Sequence, residues 1–196
     1  MNIQLVGWGL YLELEKMNIL DIGCGKNRYP RSIGIDTNPK SDADIIFNIE
    51  RGIPFPENQF DFVYSNHTLE HLDPKKLVFV LEEIWRVTKP YGKIKISVPH
   101  FSGAGSATNP THLRAGFTSQ TFHFFKSKDE YQKFGQIDFE ILKITLRKGR
   151  TRNKLINFIL FLIEIFANLN PLLCELFWVY WFGGFHEIEF ILKPIK

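Results

Sequence analysis

The first half of the chain alternates short apolar runs with turn residues. Each run is rich in β-branched or aromatic side chains and stops at a glycine, an aspartate, a proline or a polar turn. Short runs of this kind, bounded by residues that break regular structure, predict buried strands. The five predicted strands cover residues 18–22, 33–35, 44–47, 60–64 and 93–98.

A helix is predicted between the fourth and fifth of these strands. Asp73 and Pro74 supply an N-cap residue and a first-turn proline, and Gly92 is expected just beyond the helix end. Apolar residues then recur at helical spacing. They are Leu77, Leu81, Ile84 and Trp85. A strand, a helix and another strand in succession predict an α/β fold with a mostly parallel sheet.

The second half has a different pattern. Thr118 or Ser119 is expected to cap a short helix, and residues 137–146 and 185–192 are predicted strands. Two apolar helices are predicted at residues 153–168 and 171–181. Hydrophobic residues make up 44% and charged residues 23% of the chain, a balance typical of globular proteins. With no repeat and no linker visible, we expect one domain over residues 1–196.

The candidate chemistry starts at a glycine turn. The first strand runs directly into Gly23 and Gly25, which flank Cys24, and the second strand ends at Asp36. Glycine lets the backbone approach a ligand closely and tolerates positive φ. Ligands collect at the carboxyl ends of parallel strands, where a carboxylate can accept hydrogen bonds from both hydroxyls of a ribose. This combination suits a nicotinamide dinucleotide or S-adenosylmethionine (SAM).

The spacing after the turn favours SAM. A dinucleotide site needs a third glycine that opens a helix, because the pyrophosphate binds at the helix N-terminus. Arg28 occupies that glycine position and Pro30 follows. About ten residues separate the first two strands, too few for a full helix and two turns. We therefore expect reduced helices after strands one and two, and SAM has no pyrophosphate to place there.

Four segments in order make the resemblance explicit. They are DIGCG at 21–25, NIERGIPFPENQFD at 48–61, SNHTLEHL at 65–72 and EIWRVTKPYGK at 83–93. Together, over residues 17–100, they resemble the class I SAM-dependent methyltransferases of the type 11 group. The resemblance implies a Rossmann-like fold, methyl transfer from SAM, and a cofactor-binding half at 17–100. Its implied cofactor-binding residues are Asp21, Gly23, Cys24, Gly25, Asp36, Asn48, Ile49, Asn66 and His67. Asn48 and Tyr91 depart from the usual aspartate and glycine.

Two other functions stay open at this point. The departures from the family pattern are compatible with a module that binds SAM without turnover. The other open function is that of a nicotinamide-dependent enzyme, which is disfavoured because Arg28 occupies the position of the third glycine.

The acceptor side is expected in residues 101–196. His100 follows the fifth strand, and residues 101–110 are expected to form a mobile loop. Asn109 to Phe117 resemble a DPTH…F pattern of small bacterial and archaeal methyltransferases, with Asn109 in place of the aspartate. We expect His100 and His112 to be catalytic, with Arg114 as an anion contact. Alternatively, His112 and Arg114 pin a surface loop. The expected acceptor is a hydroxyl of a glycan, a lipid-linked sugar or a small metabolite.

Two further histidines lie in the loop after the fourth predicted strand. His67 is expected near the cofactor pocket, whereas His71 is expected to orient the backbone of its loop.

Charge and hydrophobicity at the end of the chain suggest a partner. Six basic residues and no acid lie within 143–154, and the apolar stretch 155–182 follows. The apolar stretch favours a sheet cover or a homodimer contact built from the C-terminal helices, and the adjacent basic residues leave peripheral contact with an anionic membrane through 143–182 as the alternative. A net charge of +3 gives no nucleic-acid signal.

Location and metal content follow from weaker signals. Residues 1–16 lack a signal-peptide pattern, and no run of about 18 charge-free residues occurs. Cys24 and Cys174 are expected to be free thiols, and no metal site is expected. We therefore expect a cytoplasmic protein, with membrane association as the alternative.

Overall fold

The computed structural model of the chain describes residues 17–114, 116–125 and 137–196. Seven strands in this part form one sheet in the order β3-β2-β1-β4-β5-β7-β6. Strands β1 to β5 pair in parallel, whereas β7 runs antiparallel to both β5 and β6. The strands are β1 Ile19–Ile22, β2 Ile33–Asp36, β3 Ile45–Ile46, β4 Phe60–Asn66, β5 Thr88–Pro99, β6 Asp138–Arg147 and β7 Glu187–Ile195. The predicted α/β fold with a mostly parallel sheet is confirmed.

The order of the strands sets the place of the site. The chain leaves β1 toward β2 and β3 on one side, then returns to β4 and β5 on the other side. The connections that follow β1 and β4 therefore leave in opposite directions, which opens a crevice at the carboxyl ends of these two strands. Ligands bind in such a crevice in open α/β sheets. Because β7 is antiparallel, its first residue, Glu187, pairs with Pro99 at the end of β5 and reaches the same edge.

Helix α1 (Leu77–Val87) covers one face of the sheet. Its buried residues recur every three or four positions, as an amphipathic helix requires. They are Leu77, Val80, Leu81, Ile84 and Val87. The helix begins three residues after Pro74, and Asp73 instead turns the chain by accepting a hydrogen bond from the backbone N–H of Lys75.

The expected end of this helix near Gly92 is wrong. Helix α1 ends at Val87, and β5 starts at the next residue because Thr88 already pairs with Phe60 of β4. Gly92 lies inside β5, where an added Cβ would be 2.7 Å from the Thr88 methyl group. Strand pairing therefore overrides the turn signal of the segment.

The motif residues of α1 hold the segment before β4. The Arg86 guanidinium donates to the carbonyl oxygens of Phe55 and Ile53 at 2.8 and 3.0 Å. A Glu83 carboxylate oxygen accepts from the Ile53 N–H at 2.7 Å and pairs with Arg86. The guanidinium holds the pKa of the Glu83 carboxyl below its usual range. Glu83 and Arg86, three residues apart on α1, thus hold residues 53–55 together.

No helix follows β1 or β2 in the described chain, as predicted. Part of the sheet face beside β1 is covered instead by Tyr29, whose ring lies 5.5 Å from Phe62 and 4.8 Å from Tyr64, centroid to centroid. The N-terminal segment 3–14, a second candidate cover, lies outside the described residues. The C-terminal helices do not take this place, since they lie against β6 and the end of β5.

The predicted C-terminal helices are confirmed. Helix α3 (Lys154–Leu169) is capped by the Asn153 side chain, and the second helical arm runs from Pro171 to Phe182. A π-helical turn, Cys174–Trp178, separates α4 (Pro171–Leu173) from α5 (Val179–Phe182).

The expected loop at 101–110 contains a short helix, α2 (Ala104–Thr108), and the expected helix near residue 119 is the 3₁₀ turn Thr121–Phe125.

Among the described residues, no single helix is both long and apolar enough to cross a membrane. The pair Lys154–Leu169 and Pro171–Trp181, bent by 112°, meets the length and composition requirement only when the two are taken together.

Candidate cofactor and acceptor site

A cavity of about 300 Å³ opens at the carboxyl ends of β1, β2 and β4. Five residues predicted from the sequence to bind the cofactor line it. They are Gly23, Asp36, Asn48, Ile49 and His67. Further lining residues were not predicted. They are Ile35, Thr37, Phe47, Glu50, Thr68, His71 and Leu72. The local motif thus located the cavity, whereas the rest of its wall comes from neighbouring turns.

The glycine turn is shaped by two close contacts. The Gly23 N–H donates to the Ile35 carbonyl at 2.8 Å, which draws the turn against β2. Gly23 has a φ of 69°, and a Cβ there would lie 2.1 Å from the Thr68 hydroxyl oxygen. That hydroxyl donates to the carbonyl oxygen of Ile22. Glycine is therefore required at position 23 by both conformation and space.

Asp36 presents its carboxylate at the end of β2. One oxygen accepts from the Gly25 N–H at 2.9 Å, and the other accepts from the Asn38 N–H at 2.7 Å. Each carboxylate oxygen has a second lone pair, so both remain able to accept from a ribose hydroxyl. The two backbone contacts orient the group before a ligand binds.

Asn48 has a structural task as well as a place in the cavity wall. Its side-chain oxygen accepts from the Glu50 N–H at 2.9 Å and caps the 3₁₀ turn Ile49–Arg51. Glu50 in turn accepts from the Asp73 N–H at 2.8 Å. Asparagine keeps the capping oxygen that an aspartate would offer, so its replacement of the usual acid leaves the turn intact.

The other predicted cofactor residues lie behind or beside the cavity. Asp21 is buried and accepts from the Tyr29 N–H at 2.7 Å, and burial raises the pKa of its carboxyl. The Cys24 thiol is buried and unpaired, and its burial raises its pKa to about 11. Gly25 contributes its N–H to Asp36. Asn66 ends β4 with an exposed side chain.

His67 is the most unusual ionisable group at this edge of the sheet. Its φ is 50°, which turns the side chain back over the end of β4. Nδ1 lies 3.1 Å from a Glu70 oxygen, and Nε2 lies 2.8 Å from a Glu187 oxygen. The hydrogen bonds that His67 makes to the Glu187 and Glu70 carboxylates raise its pKa to about 9, so both nitrogens act as donors at neutral pH. In return, His67 lowers the pKa of Glu187.

His100 occupies the expected position after β5, but its geometry does not support the predicted catalytic role. The ring is fully buried. Its Nε2–H donates to Glu175 at 2.9 Å, and its Nδ1 lies 2.6 Å from the Ser102 hydroxyl oxygen. Both nitrogens are therefore used within the protein, and the residue joins the end of β5 to the second C-terminal arm.

His112 lies beside the cavity wall rather than inside it. Its ring meets that of His71 edge to face, with 4.9 Å between centroids, and the His71 Nδ1–H donates to the Thr111 carbonyl at 3.0 Å. Arg114 packs over the Phe117 ring at 4.8 Å, and burial lowers the pKa of its guanidinium. These contacts fit the alternative reading, in which the segment pins a loop.

Glu70, His71 and His112 bring one donor atom each to within 4.8 Å of one another. Such a set could hold a transition metal. The set also serves the fold, because Glu70 supports His67 and His71 supports residue 111. The absence of a metal site stays a prediction.

The known proteins that are similar to this chain include methyltransferases. The family model described as a methyltransferase domain matches residues 20–96. A probable methyltransferase from Aspergillus luteorubrus is 35% identical over 105 residues, with 38% of this chain and 37% of that protein covered. The chain thus spans little more than a third of the length of this curated relative.

Solved structures share the fold. A SAM-dependent methyltransferase from Archaeoglobus fulgidus aligns with a TM-score of 0.54 and 23% identity, over 97% of this chain and 93% of that one. A SAM-dependent methyltransferase from Mesorhizobium loti aligns at 0.53 and 13%, over 90% of each chain. The [4+2]-cyclase SpnF aligns at 0.55 and 20%, over 92% of this chain and 76% of that one.

The match to the methyltransferase-domain model covers residues 20–96, and the described chain shares the Rossmann-like α/β fold of these solved structures.

Proposed function

We propose that the protein transfers the methyl group of SAM to an acceptor hydroxyl. The observation that carries this proposal is the placement of Asp36 and His67 in one cavity wall, at the carboxyl ends of β2 and β4. Asp36 would hold the ribose, Gly23 would let the backbone approach the cofactor, and Asn48 and Ile49 would border the adenine. When bound, the cofactor supplies an electrophilic methyl group.

His67 is the proposed proton acceptor. In its neutral form, which its pKa of about 9 places mainly at alkaline pH, Nε2 would take the proton from the acceptor hydroxyl, and the methyl group would pass from the sulfonium, left as a thioether, to that oxygen. The buried Glu70 carboxylate holds Nδ1 and stabilises the imidazolium that results, which is the role of the acid in a His–acid pair. Glu187 also contacts Nε2, so we propose that it moves aside or takes the proton onward.

His67 replaces His100 and His112 in this proposal for a physical reason. A general base must reach the acceptor, and the His67 side chain is 37% exposed whereas the His100 side chain is fully buried. The acceptor itself is proposed as a hydroxyl of a glycan, a lipid-linked sugar or a small metabolite.

The test is transfer of a radiolabelled methyl group from SAM to cell extract, separated into organic and aqueous fractions. The parent protein should label one fraction, and His67→Gln should lower kcat by about 100-fold or more. His186→Gln is the matched control, because His186 is an exposed histidine outside the cavity wall. SAM binding without transfer to any fraction would instead favour the non-catalytic module, and equal activity of His67→Gln and the control would remove the proposed base.

A further inference from the structure

Helix α3 is oriented with its polar side chains toward the protein and its apolar side chains toward solvent. Asn157, Glu164 and Asn168 lie on one stripe, and the buried residues of the helix are Glu164 and Ala167. A helix that packs on a water-soluble core has the opposite arrangement. Helix α3 therefore has the inverse orientation, and the hydrogen bonds of its polar side chains explain why.

The inward stripe is bonded to β6 and the segment that follows it. The Asn168 side chain accepts from the Leu146 N–H at 2.7 Å and donates to the Leu146 carbonyl at 2.9 Å. The Glu164 carboxylate accepts from the Lys148 N–H at 2.7 Å and from both terminal nitrogens of Arg150 at 2.8 and 2.9 Å. These contacts fix which face of the helix looks outward.

The second arm is anchored in the same manner. Glu175 is buried, and its carboxylate accepts from the Ser119 N–H at 2.6 Å, from the Ser119 hydroxyl at 2.7 Å and from His100 at 2.9 Å. The C-terminal hairpin, residues 154–182, contains two acids, Glu164 and Glu175, and both are buried and paired. Its outer surface therefore carries no negative charge among the residues described.

The outward face of this hairpin is apolar along its whole length. Phe166 is 69%, Leu169 77% and Trp181 81% exposed. Other large exposed apolar residues share the face. They are Leu155, Ile156, Phe158, Ile159, Phe161, Leu162, Ile165, Leu172, Leu173, Leu176, Phe177 and Tyr180. Monomeric soluble proteins rarely expose continuous apolar patches above a few hundred Å². Such a face requires an apolar partner.

A groove between the two arms extends the apolar surface. Its volume is about 370 Å³, and its lining includes Phe166, Leu173, Phe177 and Trp181. A space of this shape and chemistry accepts a hydrocarbon chain rather than a polar ligand.

Charge decides between a lipid surface and a second copy of the chain. Arg147, Arg152 and Lys154 are exposed where the hairpin begins, and Tyr180 and Trp181 are exposed at its other end. Basic residues attract anionic lipid headgroups, and Trp and Tyr favour the membrane interface. A second copy docked through the same hairpin would bring more positive charge and no free acid, because both hairpin acids are buried and paired.

We infer that the C-terminal hairpin docks the protein on an anionic membrane surface, lying in the interface with its apolar face in the lipid. Helix α3, at 16 residues, is about 24 Å long, shorter than the ~30 Å hydrocarbon core, which fits an in-plane position. Through Glu175 and His100 the docked hairpin is bonded to the end of β5 beside the proposed site.

Vesicle sedimentation of the full chain tests this inference without SAM, so its outcome is independent of the proposed function. Vesicles of phosphatidylcholine with phosphatidylglycerol should bind the parent protein, and phosphatidylcholine alone or high salt should weaken binding. Arg152→Glu with Lys154→Glu should weaken binding at least about tenfold, since the change replaces two charges that attract anionic headgroups with two that they repel. Lys75→Glu with Lys93→Glu, exposed positions elsewhere, is the matched charge control.

A second variant tests the apolar face. Phe166→Ser, Phe177→Ser and Trp181→Ser together should abolish vesicle binding, with Tyr91→Ser, 89% exposed on β5, as the control. Unchanged thermal unfolding of the variants shows that they fold. Equal binding by the hairpin and control variants would overturn the inference. A second result would also overturn it: the parent forms a stable dimer in sedimentation velocity and does not bind vesicles, whereas the triple variant is monomeric. The partner of the apolar face would then be a second copy of the chain.

Discussion

His67 Nε2 lies 2.8 Å from a carboxylate oxygen of Glu187, a residue 120 positions further along the chain. The contact forms because β7 runs antiparallel and begins at the edge where β4 ends. Together with the Glu70 contact, it raises the pKa of His67 to about 9 and thus sets the charge of the proposed proton acceptor.

The pKa of His67 should respond to Glu187. In Glu187→Gln the neutral amide no longer favours the imidazolium, so the pKa should fall from about 9 toward its ordinary 6.5. Histidine NMR titration measures this directly, and the alkaline shift of the activity profile should follow it. Glu189→Gln is the matched control on the same strand. A His67 pKa that stays near 9 in Glu187→Gln would contradict the assigned cause.

The same shift predicts a direction for stability against pH. Because the folded pKa of His67 lies above the unfolded value, its contribution is fully present below about pH 6.5 and is lost as pH rises through about 9. The free energy of unfolding of the parent should therefore fall over this range. His67→Gln should show a flatter profile between these two pH values in urea titrations. If the free energy of unfolding depends on pH in the same way in both proteins, His67 does not contribute to the pH dependence of stability.

Two glycines of the first turn should respond differently to alanine. Both have positive φ, which costs an L-residue about 1–2 kcal/mol. At Gly25 an added Cβ meets nothing within 4 Å, whereas at Gly23 it meets Thr68 at 2.1 Å. Gly25→Ala should therefore cost about 1–2 kcal/mol, and Gly23→Ala roughly 3 kcal/mol or more. Denaturant unfolding measures both, and equal losses would show that the Thr68 contact does not constrain the turn.

Removal of Glu175 should destabilise the protein and release the hairpin. Glu175→Ala leaves the buried donors of Ser119 and His100 without their acceptor, at a cost of about 3 kcal/mol or more. Glu175→Gln retains one acceptor oxygen and should lose less. Thermal unfolding gives the size of the effect, and hydrogen exchange in the hairpin reports its release. A loss below about 1 kcal/mol for Glu175→Ala would contradict the structural role assigned to this cluster.

Local sequence pattern predicted the first part of the fold because its signals lie within a few residues. The run into Gly23 and Gly25, the acid at Asp36 and the short gap between β1 and β2 each report local backbone geometry. Two of these, Gly23 and Asp36, line the cavity as expected. The start of β5 at Thr88 was missed, because pairing with Phe60 determines it.

The rest of the site depends on contacts that no local pattern reports. Glu187 and Glu70 define the chemistry of His67, and Glu187 comes from the last strand. Glu175 accounts for the burial of His100 from 75 positions away. The polar stripe of Asn157, Glu164 and Asn168 was visible in the sequence, but whether it faced water or protein depended on the free backbone groups of β6.

Calorimetric binding of SAM and S-adenosylhomocysteine tests the central claim most directly. The parent should bind both, and Asp36→Ala should weaken binding at least about tenfold, a loss of about 1.4 kcal/mol. Asp42→Ala is the matched control, because Asp42 is exposed and outside the cavity wall. Asp36→Asn, which keeps one acceptor oxygen, should fall between them. No binding by the folded parent, or equal binding by Asp36→Ala and Asp42→Ala, would contradict the assignment of this cavity to the cofactor.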